Sequence, residues 1–261
     1  MTSYPLFQAA VLSALLLPTA CTQTPMESSA AMSAERRLQD NPSAAPDTSG
    51  YRIAAPQDPN GIGKYYQGRQ IAHVMGHEGA DWLERNDRQE EEGTDILLRE
   101  LQLKPTDVVA DIGAGTGYFS FRISPLVAKG KVLAVDIQPE MIEYLRDNKA
   151  RNKAPNVQPV LGTVHNPNLP AAGVDLVLIV DAYHEFDHPR EMMQSIYKSL
   201  RPGGRLALVE YRAEDPNVPI KRIHKMSEAQ ARKEVEAAGL EFVENRQTLP
   251  QQHLLIFRRA K

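Results

Sequence analysis

The stretch Val108 to Ser120, reading VVADIGAGTGYFS, leaves the chain few folds to choose from. An apolar run reads as a buried strand and ends in Asp111. It then breaks into Gly113, Gly115 and Gly117 before resuming as a helix. This is the pattern of the first strand–turn–helix of an open α/β sheet, where nucleotide-like ligands sit beyond the strand's carboxyl end. Glycines suit a backbone that turns tightly and approaches a ligand without a Cβ in the way. The dinucleotide fingerprint G-x-G-x-x-G is not met. Counted from Gly113, its third glycine position holds Tyr118, too bulky for close helix–strand packing.

A second apolar run, Lys131 to Ile137 (KVLAVDI), ends in Asp136 about 25 residues after Asp111, the separation of one β–α–β unit. The D-x-G-x-G-x-G turn followed by this acid resembles motif I and the next marker of the class I methyltransferases that use S-adenosylmethionine. The resemblance runs from about Thr94 to Arg258. It implies an α/β, Rossmann-like fold with a mostly parallel seven-stranded sheet and one antiparallel strand near the C-terminus. It implies S-adenosyl-L-methionine as cofactor, held by Asp111, Gly113, Gly115, Gly117, Asp136 and Ile137, with Asp136 on the ribose hydroxyls. It places the adenine after the third strand, at Thr163 and Val164. The acid usual there is missing, which leaves adenine to backbone groups.

Residues 1–21 read as a targeting segment. Phe7 to Leu17 is an apolar stretch of signal-peptide length, too short to span a bilayer. It runs into LLLPTAC, which resembles a bacterial lipobox ending at Cys21, although Pro18 replaces the usual leucine and no Lys or Arg precedes the run. The expectation is export to the cell envelope with a membrane anchor on Cys21, facing the periplasm, or a cytoplasmic protein if the segment is not a signal. Cys21 is the only cysteine, so no intramolecular disulfide, cysteine-ligated metal or thiol nucleophile is expected. The 30 basic and 33 acidic residues give a net charge of −3 and no electrostatic case for nucleic acid.

Residues 22–60, rich in Ser, Ala, Pro, Asp and Gln, read as a disordered tether with one helical turn around Ala34–Leu38. Residues 61–104 bring in Tyr65, Tyr66, Ile71, Trp82 and Leu83 and read as a helical cover over the sheet's edge. His73 and His77 stand i, i+4, but Gly76 and Gly79 argue against a metal-binding helix. Residues 105–261 form the expected core. Val157 to Thr163 reads as its third strand and Val174 to Asp181 as a central parallel strand, almost wholly apolar. Asp187 reads as the cap of a helix reaching Leu200, with Pro189 in its first turn. The turn Arg201–Arg205 leads to a fifth strand, Leu206 to Glu210. Ser227 to Ala238 is a helix stopped by Gly239, and the last two strands form a hairpin.

After the central strand comes Asp181-Ala182-Tyr183-His184-Glu185-Phe186-Asp187-His188. His184 to His188 satisfies H-E-x-x-H, but a zinc protease needs both imidazoles on one helix, and this run straddles a strand end and a helix cap. No metal site is expected. The methyltransferase resemblance instead puts Asp181 near the cofactor's methionine end, and His184 beside the transferable methyl. An imidazole with a reference pKa near 6.5 suits a general base, and Tyr183 suits the wall of an acceptor pocket. Glu210, Tyr211 and Arg212 could also face the acceptor; Lys221, Arg222 and His224 read as a solvated basic cluster. The reading is thus methyl transfer to a small-molecule or lipid-like acceptor. Its rivals are an exported binding protein that keeps the fold without turnover, and a nicotinamide oxidoreductase. The sequence is silent on oligomeric state.

Overall fold

The computed structural model describes residues 50–261. Cys21, the targeting segment, most of the tether and the turn around Ala34–Leu38 lie outside the described residues. No described helix is long and apolar enough to cross a membrane.

The described chain opens on a small antiparallel sheet: β1 (Tyr51–Ile53), β2 (Gly61–Tyr66) and β3 (Arg69–Ala72), in the order β1-β2-β3. This corrects two expectations. The 61–104 cover begins as strands, and the 22–60 tether already contains β1. The hairpin between β2 and β3 turns through Gln67 (φ 49°) and Gly68 (φ 99°), two positive φ angles in a two-residue connection, which match the twist of the flanking strands. Tyr65, Tyr66, Ile71 and Ala72, within its two strands, are buried. Three short helices follow: α1 (Ala80–Leu83), α2 (Arg88–Glu92) and α3 (Thr94–Glu100).

The core alternates strands and helices. It comprises β4 (Val108–Ile112), α4 (Tyr118–Ile123), β5 (Lys131–Asp136), α5 (Pro139–Arg151), β6 (Val157–Leu161) and β7 (Val174–Val180). Then come α6 (Pro189–Ser199), β8 (Leu200–Tyr211), α7 (Glu228–Glu236), β9 (Glu241–Asn245) and β10 (Gln252–Arg258). The seven strands lie in the order β6-β5-β4-β7-β8-β10-β9. Every pairing is parallel except those of β10, which runs antiparallel to both β8 and β9. The expected fold class is therefore the observed one. The Arg201–Arg205 turn lies within β8, as extra residues opposite Val174–Leu176 with Gly203 at φ 78°.

Strand order reverses between β4 and β7, and the carboxyl ends of these two strands open the crevice in which such sheets bind ligands. Both faces of the sheet are covered, so β7 reads as a continuous apolar run. Leu176 and Leu178 pack on one side and Val177 and Ile179 on the other, all fully buried. Each such side chain stabilises the fold by about 1.5–3 kcal/mol. Pro189 begins α6 as expected, but the residue before it, His188, holds the N-cap position in place of Asp187 and makes no side-chain capping bond. Ser227 does cap α7, accepting from the Gln230 N–H at 3.2 Å.

Candidate active site

The turn after β4 is built as its sequence demands. Gly113, Gly115 and Gly117 take φ angles of 75°, 54° and 94°, a region costly for any side chain. The Gly113 and Ala114 N–H groups both donate to the Val135 carbonyl, at 2.9 and 3.0 Å. The Gly115 N–H donates to Asp136 Oδ2 at 2.9 Å, and the Gln138 N–H to Asp136 Oδ1 at 2.9 Å. Asp136 thus joins the two turns beyond β4 and β5. Burial lifts its pKa above the usual carboxylate range against these donors.

Asp111, expected among the cofactor-binding residues, is 3% exposed. Its Oδ2 accepts from Ser120 Oγ at 2.6 Å, so it ties β4 to the first turn of α4 and positions the glycine turn from behind. Burial pushes its pKa to about 6, partly opposed by the Ser120 bond and by Arg88. Ile137 is half-buried beside Asp136. Thr163 lies exposed in a loop turned on itself, its hydroxyl accepting from the Asn166 N–H at 3.0 Å.

Across the crevice, Asp181 adopts φ 48°, a strained conformation for a residue with a side chain. A Cβ on Gly113 would come within 2.7 Å of Ala182 Cβ, so only glycine fits where the ends of β4 and β7 meet. Asp181 Oδ2 accepts from Gln252 Nε2 at 2.9 Å, while Oδ1 is buried without a hydrogen-bond partner. Burial, then the nearby Glu92 and Glu210 carboxylates, hold the Asp181 pKa well above the usual carboxylate range.

The segment 75–92 roofs this turn. Leu83 lies against Gly115, and Thr116 Oγ1 donates to Glu84 Oε1 at 2.5 Å. The Met75 carbonyl accepts from Gln138 Nε2 at 3.0 Å, and the Met75 N–H donates to Glu185 Oε2 at 3.1 Å. His73 follows β3 while His77 opens a 3-10 turn, so the two do not share a helix face.

His184 and Tyr183, the expected base and pocket wall, lie in a 3-10 turn, Tyr183–Glu185. Tyr183 is fully enclosed in the apolar cluster beneath α6 and α7, against Phe186. It lines no open pocket, which corrects that expectation. His184 is 3% exposed. Its Nδ1 lies 2.7 Å from Oε2 of Glu210, itself fully buried, and its Nε2 lies 3.1 Å from His224 Nδ1. Burial alone would discharge the ring, but Glu210 and Glu185 outweigh it and raise its pKa to about 10. A ring held protonated accepts no proton at neutral pH, so the expectation of an ordinary imidazole base near 6.5 is corrected too.

His188 does not join His184. It stacks on His165, ring centroids 3.9 Å apart, so the H-E-x-x-H run forms no pair of ligands. The residue that joins is His224, from the cluster read as solvated, and burial and His184 hold its pKa below the usual value. Of its neighbours, Lys221 reaches Asn60. Arg212 turns away to the Leu249 and Pro250 carbonyls, and Tyr211 donates to Glu92 Oε1 at 3.2 Å. Sequence reasoning also missed Glu92, buried and paired with Arg88 at 2.9 Å.

The family model described as "Methyltransferase domain" matches residues 103–255. An uncharacterized methyltransferase-like protein of Schizosaccharomyces pombe is 37% identical over 134 residues, covering 51% of this chain and 49% of that protein. An arsenite methyltransferase of Halobacterium salinarum is 33% identical over 107 residues, covering 41% of this chain and 27% of that protein. The chain thus spans half or less of the length of these relatives. A solved SAM-dependent methyltransferase from Aquifex aeolicus shares the fold at TM-score 0.68 and 22% identity, covering 72% of this chain and all of that one. With the glycine turn, its paired acids and the strand order already in place, the chain belongs to the methyltransferase-domain family.

Proposed function

We propose that the protein is an S-adenosylmethionine-dependent methyltransferase that acts on a small-molecule or lipid-like acceptor, anchored to the cell envelope by a lipid on Cys21. One observation carries the cofactor assignment. Three positive-φ glycines form a turn stapled to Asp136, facing an Asp181 oxygen that lacks a partner. Backbone groups of Gly113 and Gly115, the Asp136 carboxylate and Asp181 would hold the cofactor, which supplies an electrophilic methyl on a sulfonium. Leu83 lies over the turn at Gly115. The protein's contribution is to hold and orient the acceptor. A membrane anchor would bring lipid-like acceptors within reach.

Calorimetry on the full chain tests the assignment. S-adenosylhomocysteine should bind, and Asp136→Ala should weaken it by about 1–3 kcal/mol, the cost of losing hydrogen bonds to a charged group. Equal or tighter binding of NAD overturns it.

A further inference from the structure

We infer that His184, Glu185 and His224 form a site for a divalent transition-metal ion of the zinc type, with a coordination position left open. The three donor atoms, His184 Nε2, His224 Nδ1 and Glu185 Oε1, all lie within 4.8 Å of one another. The two nitrogens are 3.1 Å apart, and Glu185 Oε1 stands 3.7 Å from the first and 3.8 Å from the second. A point equidistant from all three lies about 2.1 Å from each, the usual zinc–nitrogen and zinc–oxygen distance. Two imidazoles and a carboxylate are the donor set of open zinc sites and of other first-row metal sites.

The atoms behind the ligands are arranged as a metal site needs. Glu210 Oε2, fully buried, holds His184 Nδ1 at 2.7 Å and so turns Nε2 toward the other donors, where a bound ion would displace the proton that the ring carries without it. The Met75 N–H holds Glu185 Oε2, which leaves Oε1 for the histidines. A hydrogen bond between the two rings would satisfy the histidines by themselves. It does not account for a carboxylate oxygen placed at near-equal distance from both. His184 is buried, but His224 and Glu185 are half-exposed, so a fourth ligand can arrive from solvent.

The cluster is tied to the cofactor turn. Glu185 binds Met75, Met75 binds Gln138, and Gln138 binds Asp136. The role assigned here rests on the methyltransferase reading: the ion would grip an acceptor through a metal-ligating oxygen, nitrogen or sulfur. The site itself does not depend on that reading.

The test uses the full chain, stripped with chelator and titrated with zinc chloride by calorimetry, with cobalt chloride as a spectroscopic probe. One equivalent of Zn²⁺ should bind, and Co²⁺ should give the intense visible bands of a low-coordinate site. Outer-shell changes typically cost 10–100-fold in metal affinity, so Glu210→Gln should weaken Zn²⁺ by about that factor. His224→Ala and Glu185→Gln, which remove ligands, should each cost about 100-fold or more. Glu185→Gln retains a carbonyl oxygen for the Met75 N–H, so it serves if a melt shows that another variant does not fold. A His73→Ala/His77→Ala variant should bind like wild type. Absence of stoichiometric Zn²⁺ binding, undiminished binding in both ligand variants, or loss in the His73/His77 variant overturns the site. S-adenosylhomocysteine binding, measured on the same samples, tests the methyltransferase reading separately.

Discussion

Leu83 rests on Gly115 so closely that a Cβ on the glycine would come within 2.5 Å of Leu83 Cδ1. Gly115→Ala therefore meets two penalties, a φ of 54° and a collision with the roof. The backbone penalty alone is about 1–2 kcal/mol. Gly68→Ala, at φ 99° with open space around its Cβ, carries a backbone penalty with no collision. Both variants should lose that stability in urea melts, and Gly115→Ala should lose more. Only Gly115→Ala should also weaken S-adenosylhomocysteine in calorimetry.

Asp111 gives the fold a pH dependence opposite to that of a salt-bridged acid. Its folded pKa of about 6 stands above an unfolded value near 4, so the folded chain binds this proton more tightly. Its stabilisation is complete below about pH 4 and is lost as pH rises through about 6. Two units correspond to about 3 kcal/mol. Asp136 and Asp181 shift in the same direction, so the difference between wild type and Asp111→Asn isolates this group. Urea unfolding at pH 4.5 and 7.5 should show wild type gaining on the variant at the lower pH.

His184→Ala should damage the fold before it says anything about turnover. The substitution leaves Glu210 buried without the ring that meets it at 2.7 Å. Breaking a buried pair in this way costs about 3–5 kcal/mol. His184→Ala/Glu210→Leu should recover much of that loss. Recovery in thermal melts checks the claim, and a single variant as stable as wild type refutes it.

Arg69 fastens the small sheet to the large one. It meets Glu234 on α7 with two bonds of 2.7 and 2.8 Å and donates to the His184 carbonyl at 3.0 Å. Burial works against its charge, but Glu234 more than compensates and its pKa is raised. Arg69→Ala should cost about 3–5 kcal/mol. Hydrogen exchange should quicken in residues 61–72 before it does in β7.

The proposal of a lipid on Cys21 is tested in cells. Wild type expressed with labelled fatty acid should carry the label, and Cys21→Ser should not. An unlabelled, soluble wild-type product counts against the anchor.

Much of the large sheet was legible because its strands are covered on both faces and so spell continuous apolar runs. The end of β5 is marked by Asp136, and that of β4 by Gly113 just after Ile112. The small sheet was less legible. Gly61–Tyr66 was read for its aromatic content, although Gln67-Gly68 carried the signature of a tight hairpin. The cluster around His184 was legible only in part. His184 and Glu185 are adjacent in sequence, whereas His224 arrives from 40 residues away through a 3-10 turn that no periodicity announces. The H-E-x-x-H spacing pointed to His188 instead, and only packing reveals that it stacks on His165.

The place of β10 bears on how the molecule is assembled. It follows every other strand along the chain yet lies inside the sheet, between β8 and β9. Until residues 252–258 emerge during synthesis, β8 keeps a bare edge and β9 has no partner. A growing chain can form the β4–β7 half from sequential, mostly local units, but it cannot close the sheet. Closure, and the burial of Gln252 against Asp181, come after the other described strands have been made. Asp181 therefore acquires its final surroundings only when β10 is in place.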